Sequence, residues 1–234
     1  MLGAGVMLSA CSPVQMGAAA IVGNQRISQS TLSGYVTSLQ SQIAKYPGQQ
    51  LQVSSATAPK SVLNLLLEFA VWNRVAKNVG VTVSSAQVDQ AVKQLRASAA
   101  QQAKKQGTSA GILLVDSALT DKTLPQYARF RVQLSAVEAK VTGGKPATTQ
   151  AESTKVQNEI GQLETRAIKQ LNIKVNPQYG KFSPQQGVVA TPDLLSKPVN
   201  SSSSAAGGAG AAAGGAGGAG GAGGAAQGAV PGSG

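Results

Sequence analysis

A chain without histidine has few ways to move a proton near neutral pH. None of the 234 residues is His, which removes Ser-His-Asp and Cys-His catalysis, a His general base and imidazole-based zinc sites. One thiol, Cys11, and nine carboxylates remain. Glu152, Glu159 and Glu164 share one predicted helix. Glu152 caps that helix and Glu164 falls on another face, so all three read as solvated helix charge. Gly143-Gly144 lacks the following Lys-Ser/Thr that completes a phosphate-binding loop. The expectation is a protein that is not an enzyme, with no catalytic set, no metal site and no cofactor.

Cys11 closes the apolar run in MLGAGVMLSAC. A lone cysteine makes no intrachain disulfide, and the run before it is too short to span a bilayer. Leu8-Ser9-Ala10-Cys11 resembles the bacterial lipobox, with Leu three residues before the Cys and small residues between. In that family small side chains admit the signal peptidase, and the thiol receives diacylglycerol. The resemblance implies a signal segment over 1–10, lipid attachment at Cys11, an anchor linker over 11–17, and residence at the cell membrane on its extracytoplasmic face. A signal peptide carries Lys or Arg near its start, yet the first cation here is Arg26. The expectation is an authentic chain that begins upstream with basic residues.

From Thr191 the periodicity stops, and half of the 28 glycines fall between Gly207 and Gly234. Such a segment buries too little apolar surface to offset its ordering entropy, so 191–234 is expected to be a disordered tail. Residues 18–190 form the folded body, long enough for one core. The formal charge of +11 belongs to that body, because Asp193 and Lys197 cancel in the tail. A basic surface favours anionic partners. Nucleic acid is disfavoured among them: the cations are scattered, Lys104-Lys105 with Lys93 and Arg96 being the densest group, and aromatics make up 3% of the chain.

The body reads as mainly α. Ala18 to Val22, Gly23-Asn24 and Arg26-Ile27 spell strand, turn and strand. Ser28 or Ser30 caps a helix carrying Leu32, Tyr35, Val36, Leu39 and Ile43 at three- and four-residue spacing. Val62 to Val79 is apolar on most of its circumference, which marks a central buried helix; Asn64, Glu68, Asn73, Arg74, Lys77 and Asn78 interrupt it, which argues against a membrane span. Ser84-x-x-Gln87 and Thr149-x-x-Glu152 are capping boxes. Between the helices they open lie a short helix, Ser109 to Leu119, and one from about Thr123 to Val141. Ile173 to Pro177 reads as a closing strand, Tyr179-Gly180 as a turn, and Phe182 with Val188-Val189 as the end of the ordered part. The two terminal strands are expected to pair.

Ile21-Val22-Gly23-Asn24-Gln25-Arg26-Ile27-Ser28, running on to Leu32, resembles the opening of the SurA- and PrsA-type extracytoplasmic chaperones. Val81-Thr82-Val83-Ser84 with Val88 and Leu95 resembles the start of their next helix. Val175 to Phe182 resembles the C-terminal strand and turn of actinobacterial lipoproteins with a SurA-like N-terminal domain. The resemblance implies a helical cradle whose ends meet, binding unfolded exported polypeptides. Many relatives insert a parvulin isomerase domain before the last helix; here that joint is the short segment Gly143 to Thr149. Tyr35, Phe69, Trp72, Tyr127 and Phe130 are the candidates for client contact, against the alternative that each is ordinary core. The competing reading is an adaptor lipoprotein whose basic face binds cell-wall polymers or a protein partner.

Overall fold

The computed structural model describes residues 17–189. Cys11, the segment 1–10, most of the anchor linker and the tail from 191 onward lie outside the described residues.

The described chain is mainly helical. Strand β1 (Ala18–Val22) turns back into β2 (Gln25–Ser28). Gly23 makes the turn at φ +59, a conformation open to glycine. Helices α1 (Gln29–Ile43), α2 (Ala58–Asn78), α3 (Ser85–Gln106), α4 (Ala110–Asp116), α5 (Leu124–Val141) and α6 (Gln150–Leu171) follow. The chain then closes with β3 (Lys174–Val175), a 3-10 turn (Pro177–Tyr179), β4 (Lys181–Ser183) and β5 (Gly187–Val189). The strand expected to run to Pro177 stops short of it, because proline has no N–H for the ladder and its fixed φ suits the start of the turn.

The helix starts obey local chemistry. The Ser28 hydroxyl accepts from the Thr31 amide at 2.9 Å and so caps α1. Ser84 with Gln87 and Thr149 with Glu152 form full capping boxes at α3 and α6, which satisfies amides that a helix leaves unpaired at its start. Proline stands in the first turn of α2 and of α5, where its missing N–H costs nothing. Gly107 ends α3 and Asn172 ends α6, both with positive φ.

The apolar circumference of α2 decides the packing. Val62, Leu63 and Val75 are fully enclosed, and Leu67, Phe69, Val71 and Trp72 nearly so. Around it lie α1, α5, α6, β1 and β5. The asparagines that interrupt its apolar pattern are staples to those neighbours. Asn64 Oδ1 accepts from the Val188 amide at 2.6 Å, which fastens β5. Asn73 Oδ1 accepts from the buried Gln133 of α5 at 2.8 Å. Asn78 Nδ2 donates to Gln170 of α6 at 2.8 Å. Asn64 is half-buried and Asn73 and Asn78 lie on the exposed side of α2, so these bonds tie the rim of the helix to its neighbours, and the buried Gln133 side chain gains its partner from Asn73. No helix among the described residues is long and apolar enough to cross a membrane.

The ends of the body do meet. β1 is the middle strand of a three-stranded sheet, antiparallel to β2 and to β3, with Ala20 opposite Val175 and Ile21 opposite Lys174. Asn176 extends the seam: its amide donates to Ala19 O at 2.9 Å and its Nδ2 to Ala18 O at 3.0 Å. The β4–β5 hairpin was not legible as a pair in the sequence; it exists because Val188, fully buried, plugs against α2.

Replacing Asn176 by Ala removes the bond to Ala18 O and the one its Oδ1 accepts from the Gln178 amide. The expected loss is about 1–2 kcal/mol of unfolding free energy, read from urea denaturation followed by far-UV circular dichroism.

Candidate functional site

The five aromatic candidates for client contact divide by burial. Phe69, Trp72 and Phe130 are 5%, 5% and 8% exposed. Phe130 lies 5.6 Å from Trp72, 5.7 Å from Tyr127 and 6.3 Å from Phe69 between ring centroids, distances at which tilted and edge-on rings attract one another. This cluster joins α2 to α5 as core. Tyr127 and Tyr35 are half-buried, and the Tyr35 hydroxyl accepts from Gln126 Nε2 at 2.8 Å, tying α1 to α5. The structure therefore seats the aromatics between helices, not along an open groove.

Open apolar surface is found elsewhere, between α5 and α6. The apolar stripe of α6 runs through Val156, Ile160, Leu163, Ala167, Ile168 and Leu171, but only Ala167 and Leu171, near its end, are buried. The first half of the helix extends its stripe past the cover that α2 provides. Two adjoining clefts result. One, of about 470 Å³, has the half-buried Val79, Val141 and Leu163 as its apolar floor, over the fully buried Val137. The other, of about 250 Å³, has Val141, Pro146, Ala147 and Val156. Val141 and Glu159 belong to both, so the two form one trough. A wider, shallow depression of about 630 Å³ lies over Gln157, Asn158, Gly161 and Thr165 and is lined by polar residue types and a glycine.

The trough is rimmed by charge. Lys140 and Arg166 border the first cleft, and Lys145 and Lys155 the second. Lys140 Nζ donates to the Val79 carbonyl, and Arg166 Nε donates to Gln162 O at 3.3 Å. The Glu152 carboxylate accepts from the Thr148 amide at 2.7 Å and the Thr149 amide at 3.0 Å. Those bonds, first of all the one from Thr148, hold its pKa below the ordinary glutamate value.

A second cleft, of about 300 Å³, lies between α2, α6 and the β4–β5 hairpin, lined by Leu67, Val71, Ile168 and Phe182 with Asn64, Glu68 and Glu164. Here the reading of Glu164 as a solvated charge needs correction: it is half-buried and faces Glu68 across the helix interface. Burial raises its pKa. Burial, then the charge of Glu164, raises that of Glu68, although Glu68 stays solvent-accessible at the rim, where water and salt screen the repulsion. Among the described residues no Lys or Arg lines this cleft. The pairing was invisible in the sequence because the two residues are far apart along it and on different helices. Among the described residues no three His, Cys, Asp or Glu side chains gather as metal ligands do.

The sign of the Glu68–Glu164 effect follows from proton counts. A folded-state pKa above that of the unfolded chain means that the native state binds more protons between the two values. Stability then falls as pH rises from about 4.5 through the raised folded values and stays lowered above them. Glu164→Gln is expected to raise Tm by roughly 1–2 °C at pH 7 and to leave it unchanged near pH 3.5, measured by thermal melts across pH. The same Tm difference at both pH values counts against any cost of the Glu164 charge in this cleft, whether from burial or from Glu68.

Residues 2–111 match the family model described as the SurA-like N-terminal domain. The match runs through the terminal hairpin and α1 to α3 and ends at the start of α4. The α5–α6 trough and the C-terminal strands, whose sequence carried part of the resemblance, lie beyond it. No curated protein and no solved structure matches the chain.

Proposed function

From the premise that the chain carries a SurA-like N-terminal domain over residues 2–111, we propose that it is a membrane-anchored, extracytoplasmic chaperone-like protein that holds unfolded exported polypeptides without catalysis. The observation that carries this reading is the partly exposed apolar trough between α5 and α6, on a chain whose residues 2–111 match the SurA-like N-terminal domain. A partly exposed apolar surface rimmed by charge suits a polypeptide ligand, and a trough open along its length suits an extended chain better than a small molecule. Measured along α6, Glu152 to Arg166 spans about 21 Å at 1.5 Å per residue, the reach of about six residues of extended peptide. The client contacts are thus assigned to Val141, Val156 and Leu163, while Phe69, Trp72 and Phe130 serve the core.

Non-catalytic action is supported by the absence of histidine from the whole chain and by the joint between α5 and α6, which is residues 142–149 alone. Anchoring is supported by the lipobox-like Leu8-Ser9-Ala10-Cys11. A thioether-linked diacylglycerol there would keep the trough close to polypeptides emerging from the membrane.

The test is suppression of aggregation of a denatured exported protein. Wild type is expected to protect at near-stoichiometric amounts, and Val156→Asp to lose most of the protection while keeping its helical spectrum. Failure of the wild type at several-fold molar excess favours the second reading, an adaptor that binds wall polymers through its basic surface. One observation speaks for that reading: Arg96–Asp121, at 2.8 Å and largely exposed, is the sole ion pair within 4 Å among the described residues, so most of the +11 charge has no carboxylate in contact.

Anchoring is checked separately. Mass spectrometry of the protein extracted from membranes should find Cys11 diacylated, and Cys11→Ser should release the protein from the membrane fraction. An unmodified thiol in membrane-bound protein overturns the anchor.

A further inference from the structure

We propose that the α5–α6 trough selects apolar polypeptide segments flanked on both sides by acidic residues; this rests on the reading above, that the trough holds extended polypeptide. The charges are arranged by position. Lys145 and Lys155 stand at the end of the trough next to the α5–α6 joint, Lys140 and Arg166 at the other end, and the apolar floor of Val141, Val156 and Leu163 lies between. Along α6, Lys155 to Arg166 spans about 17 Å, which an extended chain covers in about five residues. A ligand with an apolar centre of that length places its flanking side chains beside the two cationic ends.

The cations are exposed and available to such a partner. The side chains of Lys145 and Lys155 have no hydrogen bond or ion pair in the described structure, while those of Lys140 and Arg166 donate only to backbone carbonyls, which carry no opposite charge. Two carboxylates share the lining. That of Glu152 is held by the amides and hydroxyl of Thr148 and Thr149. Glu159 sits between the two ends, one turn from Lys155, but makes no ion pair within 4 Å. Four cations therefore face two anions, one of them already satisfied. Basic flanks would meet like charge at both ends, and discrimination by repulsion is as effective as by attraction.

The experiment uses the full chain and fluorescent peptides with one apolar centre of about five residues, flanked by two Glu or by two Lys at each end, together with a polyglutamate lacking the centre. Binding is followed by anisotropy. The acidic-flanked peptide should bind about tenfold tighter than the basic one at low salt, with the gap narrowing at high salt. Lys145→Glu with Lys155→Glu should bring the two near parity. Lys104→Glu with Lys105→Glu, the same charge change at the exposed end of α3, should leave the gap within about twofold of wild type. Circular dichroism confirms that both variants fold. Equal losses in the two double variants would mean that net charge alone is sensed, and overturn the assignment. Polyglutamate binding as tightly as the acidic-flanked peptide, or a dimer that occupies the trough and excludes all peptides, overturns it too. Parity of the two peptides in wild type, with aggregation suppression intact, sinks the selectivity and leaves the chaperone reading standing. Loss of both sinks the two together.

Discussion

A helix that is apolar on nearly every side cannot stay at a surface, and α2 makes the rest of the body enclose it. Removing its side chains from water is the largest favourable term available here, at roughly 25 cal/mol per Å² of apolar surface. The consequence is a central rod with α1, α5, α6, β1 and β5 around it. The rod also carries asparagines, and their positions select which neighbour lies where. Each amide accepts or donates one defined bond, to β5, to α5 or to α6. Hydrophobic burial is non-directional, so an all-apolar rod would tolerate sliding and rotation. The amides supply the direction.

Closure of the body follows from the same enclosure. β1 lies against α2, and a strand with both edges unpaired would leave buried amides unsatisfied. β2 covers one edge and β3 the other, with Asn176 continuing the seam. Residues far apart in the chain are thus joined at one sheet, and the last hairpin is carried onto α2, where Val188 seals the core and Phe182 forms one wall of the acidic cleft. Glu68 and Glu164 face each other there as a result of docking, a local cost accepted within a net favourable interface.

The same geometry leaves the trough open. α6 continues well beyond the stretch that α2 can cover, because its capping box starts the helix at Gln150, several turns before its first buried residue, Ala167. The apolar stripe does not stop where the cover stops. α5 runs back along it, but the joint over 142–149 holds the two apart enough for clefts of about 470 and 250 Å³ to form. A stripe that a sealed fold would have buried becomes a surface for another chain.

Much of the framework was legible from the residues. Caps at Ser28, Ser84 and Thr149, the early prolines of α2 and α5 and the glycine stop after α3 are local chemistry, decided within a few residues, and the helices lie where these signals put them. The all-round apolarity of α2 announced its central place, and the pairing of the first and last strands of the sheet was expected. Other features needed contacts that no local pattern encodes. The partner of Asn64 is 124 residues away, so a polar residue in an apolar helix looked like an interruption until its staple appeared. The fate of an aromatic side chain is equally non-local: Phe130 belongs to the core because Trp72, Phe69 and Tyr127 reach it. The sequence by itself determined the helices, their ends and the excess of positive charge, because each of these depends on residue type and short-range spacing. Only the tertiary structure decided which apolar faces were covered and which carboxylates met, because both depend on how far one helix outruns another once they are packed.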